Sequence, residues 1–365
     1  MEKNTMKKNN YVAIMAGGIG SRFWPMSRTE FPKQFLDILN RGRTLIQSTY
    51  DRFAQFIPKE NIYVVTAQQY CDIVSKQLPD INPENILCEP SRKNTAPCVA
   101  YAAYKLQQLD PKSNLICAPA DHLILEGTSF IKASLEALAF TEKHNALLMM
   151  GIKPSHPNTG YGYIQYEEQS VTDNIYKVKT FTEKPDLELA KTFITSGDFL
   201  WNSGIFVWQT KTIISAFEKY LPEIHEVFDA EKKLFNTPEE KEAIEKIYPQ
   251  CINISIDYGI IEKAENVYVI PSSFGWGDLG TWGSAYENLE KDYLENAVVG
   301  DNVMVFDASK NIVHTDNKKL ILLQGLEDFI VVDTKDVLLI CKKDKEQEIK
   351  EYLAEVKRNK GDKFL

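Results

Sequence analysis

Between Ala16 and Phe35 the chain sets Ala16-Gly17-Gly18-Ile19-Gly20-Ser21-Arg22-Phe23-Trp24-Pro25 ahead of Pro32-Lys33-Gln34-Phe35. Glycines let a backbone approach a phosphate closely with its N–H groups turned inward, and Arg22 and Lys33 add cationic donors. The stretch reads as a nucleotide-phosphate loop; a glycine turn with two solvated cations is the plainer alternative. Two rivals fail on residues. A dinucleotide fingerprint starting at Gly18 needs Gly or Ala where Phe23 stands, and a P-loop needs Gly-Lys-Ser/Thr, which is absent. Asp121, in Pro119-Ala120-Asp121-His122, follows a strand-like run, at the end of the strand where open α/β sheets hold ligands. It is a candidate magnesium ligand, with a turn or helix cap as the alternative, and His122 is less suited because magnesium prefers oxygen. Asp278, framed by Gly277 and Gly280, supplies a second carboxylate, to be weighed against capping a helix from Leu279 onward. Asn94-Thr95 can equally cap a helix or touch a nucleotide.

The run from Ala16 to Phe35 resembles, without a gap, the signature of the mannose-1-phosphate guanylyltransferases, also called GDP-mannose pyrophosphorylases, within the sugar nucleotidyltransferases. Ser21 stands where that family usually has threonine, which keeps the hydroxyl. Glu89-Pro90-Ser91-Arg92-Lys93-Asn94-Thr95-Ala96-Pro97 is similar to a further family segment and favours the nucleotide contact. The resemblance then implies that Ala16, Gly17, Gly18, Gly20, Ser21, Arg22, Asn94 and Thr95 hold the nucleotide, with Arg22 and Lys33 catalytic and Asp121 and Asp278 on Mg2+. It also implies a sugar-phosphate pocket. Glu183-Lys184-Pro185, Trp201-Asn202-Ser203-Gly204 and Thr159-Gly160-Tyr161-Gly162 resemble family motifs, and Ser255 to Lys263 completes the set. Glu183 and Asn202 are expected on sugar hydroxyls, Lys184 on the sugar phosphate, Gly162 in a turn beside them, and Asp257 and Glu262 lining or bracing the pocket.

These residues need a frame. Apolar runs bounded by turn signals at Tyr11–Ala16, Ile62–Thr66, Ile86–Cys88, Leu115–Ala118 and Ala146–Gly151 predict buried strands. Helices are predicted from Thr44 to about Phe56, Thr95 to about Leu109 and Thr128 to Lys143. The alternation means an α/β fold, a mostly parallel sheet wound with helices on both faces. Strand-like Tyr163–Glu167, Tyr176–Phe181 and Gly204–Trp208, with helices near Leu187–Thr195, Thr210–Lys219 and Pro238–Ile247, are read as insertions extending that sheet. From Ala297, short β-branched runs about ten residues apart and an amphipathic last helix predict a small β-rich domain. The expected division is a flexible stretch 1–10, a catalytic domain 11–296 and a β-rich domain 297–365. The resemblance makes these a Rossmann-like nucleotide-diphospho-sugar transferase fold and a β-helix-like tail.

The 365 residues carry 42 Lys+Arg against 51 Asp+Glu, a net charge of −9, which argues against nucleic acid as a partner. No run approaches the ~20 apolar residues of a membrane span, and no leader is read in Met1–Asn10. Six cysteines without C-x-x-C spacing fit a reducing cytoplasm rather than a disulfide scaffold or zinc site. The resemblance implies transfer of GMP from GTP to mannose 1-phosphate, giving GDP-mannose and pyrophosphate. Magnesium assists, and the chain forms a homodimer through the β-rich tail without isomerase activity. Alternatives are another sugar-1-phosphate nucleotidyltransferase, or a catalytically silent regulatory subunit of the same fold.

Overall fold

A strand buried on both faces needs no polar alternation, and the run from Tyr11 to Met15 has none. In the computed structural model, which describes residues 7–316 and 318–365, it forms β1 (Asn10–Met15). Next come α1 (Leu45–Phe53), β2 (Ile62–Ala67), α2 (Cys71–Gln77), β3 (Ile86–Glu89), α3 (Thr95–Leu109) and β4 (Asn114–Pro119). The chain continues through β5 (Leu123–Ile124), α4 (Gly127–Lys143), β6 (Leu147–Ile152), β7 (Tyr163–Thr172), β8 (Ile175–Thr182) and α5 (Leu187–Ser196). Then follow β9 (Phe199–Gln209), α6 (Thr210–Tyr220), α7 (Pro222–Glu231), α8 (Glu240–Ile247) and β10 (Val267–Ser272). Nine strands make one sheet in the order β3-β2-β1-β4-β9-β6-β10-β8-β7. The β3, β2, β1 and β4 run is parallel throughout, β6 and β10 are parallel, and β9 enters antiparallel between β4 and β6. The fold is thus a mostly parallel sheet with helices.

The last part of the chain holds β11 (Trp276–Gly277), α9 (Trp282–Asn288), β12 (Ala297–Val299), β13 (Val303–Phe306), β14 (Ile312–Thr315) and β15 (Ile321–Gln324). It closes with β16 (Phe329–Asp333), β17 (Leu338–Lys342) and α10 (Ile349–Lys360). Strands β12, β14 and β16 stack in parallel with Ala297, Ile312 and Ile330 in register, and β13 stacks on β15. This is a β-helix-like coil, pinned at one corner by a ladder of buried asparagines. Asn296 Oδ1 accepts from the Asn311 amide at 3.0 Å, and Asn311 Oδ1 accepts from the Phe329 N–H at 2.9 Å.

The chain forms two compact units: residues through Gly17, Thr49–Ala120 and Ile124–Trp276 in one, and Gly18–Ser48, Asp121–Leu123 and Gly277–Leu365 in the other. Trp208, Tyr104, Tyr248 and Phe217 are wholly enclosed in the first core. In the second, Phe23, Trp24, Ile38 and Leu39 of the glycine-loop segment share a core with Trp282, Ile312, Ile330, Val332 and Ile349. The glycine loop therefore draws its packing from the β-rich tail, a job the sequence does not announce.

Three expectations are corrected. Cys71 and Cys88 form a disulfide: Cys71 opens α2 shortly after β2, and Cys88 lies on β3, the parallel neighbour of β2, a pairing without a spacing signature. Of the stretch expected to be flexible, Met1–Met6 lie outside the described residues, whereas Asn10 starts β1 and the Asn61 amide donates to the carbonyls of Lys8 and Asn10 at 2.8 and 2.9 Å. Finally, α2 and α7 stand where no helix is predicted; both are short and carry few apolar positions.

Candidate active site

The loop after β1 turns at Gly20, whose φ of +66° is left-handed and whose Cα faces Lys33 so closely that an added Cβ would overlap the Lys33 Cβ. Only glycine meets both demands. A single 3₁₀ turn, Ser21–Phe23, then presents Arg22. Its Nε is buried with no hydrogen-bond partner among the described residues, and such a donor is costly unless a ligand completes it. Phe23 and Trp24 anchor the turn: the Phe23 and Trp282 rings are 5.1 Å apart, and the Trp24 indole donates to the Phe364 carbonyl at 2.7 Å.

Lys33, 5% exposed, begins the next 3₁₀ turn. Its ammonium lies 2.8 Å from Asp121 Oδ2 and donates to the carbonyls of Asp278 and Leu279 at 3.1 and 2.9 Å. One buried cation thus gathers three segments far apart in sequence. Burial would raise the Asp121 carboxyl, but Lys33 and His122, whose Nε2 lies 4.0 Å away, outweigh it and hold the group below the usual carboxylate range. Asp121 is therefore ionised at neutral pH. The capping alternative for Asp278 does not hold. Thr281 caps α9 in a reciprocal box with Ser284, while Asp278 Oδ1 accepts from the Gly280 N–H at 3.0 Å in the preceding turn. Asp121 and Asp278, on turns that share Lys33, are hard oxygen donors of the kind magnesium takes, and among the described residues no group of three or more Asp, Glu, His or Cys gathers to hold a metal ion.

In the other unit, the residues expected on the sugar phosphate lie just before β7 (Gly162), just past β8 (Glu183 and Lys184), within β9 (Asn202) and in the π-helical turn Asp257–Ile261. The Asn202 N–H donates to the Gly162 carbonyl at 2.8 Å, its Nδ2 donates to Asp257 Oδ1 at 2.8 Å, and its Oδ1 accepts from the Gly204 N–H at 3.0 Å. A Cβ at Gly162 would displace Glu183 Oε2. That oxygen is buried and unpartnered among the described residues, while Oε1 pairs with Lys184 at 2.9 Å. Burial, then the Glu183 charge, pushes Asp257 up to about 6. Lys184 is exposed, and although burial works against its charge, Glu183 and Asp257 hold its ammonium above the ordinary range. Two acids and one cation, with an amide between them, can recognise a polyol bearing an anionic group. Tyr161, Trp201 and Trp276 add an aromatic wall, Tyr161 standing 5.1 Å from each indole.

Not every expected residue converges. Glu262 is exposed and contributes its backbone N–H to the Asp257 carbonyl at 2.9 Å, because a π-helical turn, Asp257–Ile261, rotates its side chain outward. Asn94 is the N-cap of α3, accepting from the Thr95 N–H at 2.9 Å, and the Thr95 hydroxyl accepts from the Ile256 N–H at 2.9 Å. Both therefore brace the start of α3 and the turn that carries Asp257. Gly17 and Gly18 occupy the loop as expected, and Ala16 is buried at its root, its carbonyl accepting from the Thr66 hydroxyl at 2.8 Å. Ser21 is half-buried.

Sequence reasoning missed Glu89. It ends β3, 6% exposed, with Oε1 taking the Tyr248 hydroxyl and Oε2 facing Gly17. Burial pushes its carboxyl up to about 7 against the pull of Tyr248 and Arg92. A glutamate closing a strand otherwise built of Ile, Leu and Cys was the available signal.

Comparison with known proteins matches two consecutive stretches of the chain. Residues 11–295 match the nucleotidyl transferase family, and residues 301–356 match a mannose-phosphate isomerase/GMP-like β-helix domain. The mannose-1-phosphate guanylyltransferase of Escherichia coli is 34% identical over 347 residues, covering 92% of this chain and 73% of its own. The alginate biosynthesis protein AlgA of Pseudomonas aeruginosa is 36% identical, covering 94% and 71%. A crystal structure from Thermus thermophilus, described as a mannose-1-phosphate geranyltransferase, superposes with a TM-score of 0.85 at 29% identity, covering 96% of this chain and 99% of that one.

Proposed function

Because the chain belongs to the mannose-1-phosphate guanylyltransferase family of nucleotidyl transferases, we propose that it joins mannose 1-phosphate to GTP, giving GDP-mannose and pyrophosphate. The observation that carries this reading is the Lys33 ammonium, which binds the Asp121 carboxylate and the Asp278 turn together. An oxygen of the sugar phosphate attacks the α-phosphorus in line, and pyrophosphate leaves from the opposite side. That oxygen is already anionic, so no protein nucleophile is required; the obstacle is the repulsion between two polyanions. Arg22, with its unpartnered Nε, takes the triphosphate and the charge developing on the leaving group. Lys33 fixes the two acidic turns and reaches a phosphate oxygen by exchanging one of its carbonyl bonds. Asp121 and Asp278 would hold magnesium, whose chemistry when bound is to shield the phosphate charges.

On the acceptor side, Lys184 takes the phosphate of mannose 1-phosphate, and Glu183 and Asn202 take ring hydroxyls. Asp257 orients the Asn202 amide through their 2.8 Å bond. On the donor side, Glu89 supports guanine as the base. A buried carboxylate accepts from both N1–H and the 2-amino group, whereas adenine offers an acceptor at N1.

The homodimer rests on exposed apolar side chains of the β-helix-like coil, with Met304, Phe306, Leu320, Leu322, Leu338 and Ile340 each at least 45% exposed. The cytoplasm is the proposed location, consistent with four unpaired, buried cysteines. No helix among the described residues is long and apolar enough to cross a membrane.

A matrix of nucleoside triphosphates against sugar 1-phosphates, with magnesium and scored by pyrophosphate release, tests the activity. The GTP and mannose 1-phosphate cell should dominate. A different best pair moves the chain to another sugar nucleotide, and an empty matrix makes it a silent subunit.

A further inference from the structure

We propose that the Cys71–Cys88 disulfide is a reversible redox modification site that sets affinity on the nucleotide side. Cys71 opens α2 directly after the turn Gln68–Tyr70, and Cys88 precedes Glu89 at the end of β3. The strands beneath are already paired, Thr66 with Cys88 and Ala67 with Glu89. The disulfide therefore ties down the segments that leave the sheet beyond them. Those segments carry Tyr70 and Arg92, whose guanidinium donates to the Tyr70 hydroxyl at 2.5 Å and lies 5.6 Å from its ring centre, and Glu89 is the strand residue from which the second of them departs. Both cysteines are half-buried and line a cavity of about 700 Å³ with Gln68 and Pro90, which gives a thiol a route to the sulfurs. The other four cysteines are buried and unpaired. Burial raises the thiols of Cys98, Cys117 and Cys251, and a thiol kept protonated is a poor partner for exchange. Exchange is thus directed to one pair.

The reaction is thiol–disulfide exchange with a low-molecular-weight thiol such as glutathione. One thiolate attacks a protein sulfur and breaks the S–S bond, leaving a mixed disulfide and one cysteine thiolate. A second thiolate attacks the external sulfur and releases the other cysteine. Two electrons and two protons pass to Cys71 and Cys88, and the reagent leaves as its own disulfide; the reverse course closes the bond. Reduction frees the Tyr70 and Arg92 segments on either side of Glu89, whose ordering must then be supplied by nucleotide binding. Apparent GTP affinity should fall at least ~3-fold, with mannose 1-phosphate unaffected. This inference rests on the nucleotide role read for Glu89.

The full-length enzyme is equilibrated over a series of reduced and oxidised glutathione ratios, alkylated, and the Cys71 and Cys88 peptides weighed by mass spectrometry. On the same samples the KM of each substrate is measured, with GTP binding by calorimetry. The expected result is a GTP affinity that tracks the oxidised fraction, a constant KM for mannose 1-phosphate, and a Cys71→Ser variant locked at the reduced value. A pair that never oxidises, oxidation without a change in GTP affinity, GTP binding in neither state, or a Cys71→Ser variant that still responds would each overturn the proposal. Redox-dependent GTP binding without transfer would uphold it and remove the transfer reading alone.

Discussion

At the scale of residues, charge is placed where it costs energy unless a partner or ligand offsets it. Lys33→Met leaves the Asp121 carboxylate without its cation and the Asp278 and Leu279 carbonyls without a donor. Breaking such a pair from one side should cost about 3 kcal/mol in urea unfolding and at least ~10²-fold in turnover. A near-wild-type rate would remove Lys33 from its central position. Glu89, raised to about 7, must be ionised to accept from guanine. The KM for GTP should therefore fall as pH rises through 7, and Glu89→Gln should flatten that profile and narrow the preference for GTP over ATP. An unchanged base preference would place guanine elsewhere. Asp257 works in the opposite sense for stability. Its folded value of about 6 stands above the ordinary carboxylate range of about 4. The folded protein thus holds this proton more tightly than the unfolded chain, and loses stability as pH climbs from about 4 to about 6, the whole of it above that. Asp257→Asn keeps an oxygen for Asn202 and removes the loss, so its melting temperature should gain on wild type between pH 4 and 7. A constant gap would refute the assignment.

At the scale of elements, precision comes from short irregular pieces rather than from helices and strands. Gly20→Ala must accept a left-handed φ and push back Lys33, at a cost of about 1–3 kcal/mol. The KM for GTP should rise while that for mannose 1-phosphate stays put; damage to both alike would mean general unfolding. These pieces also mark where the sequence was readable. The frame was: α3 starts and ends where Thr95 and Leu109 predicted, and α4 begins one residue before Thr128. Periodicity and caps are local signals. The acids and cations were readable as residue types, but their company was not. Nothing near Lys33 announces that its partners are Asp121 and Asp278, and nothing near Glu262 announces the π-helical turn that points it away. The coil after Ala297 was legible as short strands, whereas its Asn296–Asn311 ladder is fixed by stacking between turns of chain that a linear reading keeps apart.

At the scale of the whole molecule, the β-rich tail supports the glycine loop and is the surface proposed for assembly. Its outward Leu320 and Leu322 are 61% and 58% exposed, with Met304 paired to Leu322 on the neighbouring strand. Exchanging both leucines for glutamate should convert a dimer into a monomer in light scattering and leave GTP binding intact; a double variant that stays dimeric would move the interface elsewhere. Its inward residues serve the loop, since Phe23 and Trp24 pack with Ile312, Ile330 and Ile349. Deleting the tail would therefore be a poor test of assembly. That shared core also carries a schedule. Trp24 and its carbonyl partner Phe364 are 340 positions apart, so at ribosomal speed roughly 20–70 s separate the emergence of the glycine loop from the arrival of its support. Until then a nascent chain can own a finished sheet while its glycine loop still lacks the packing that holds it.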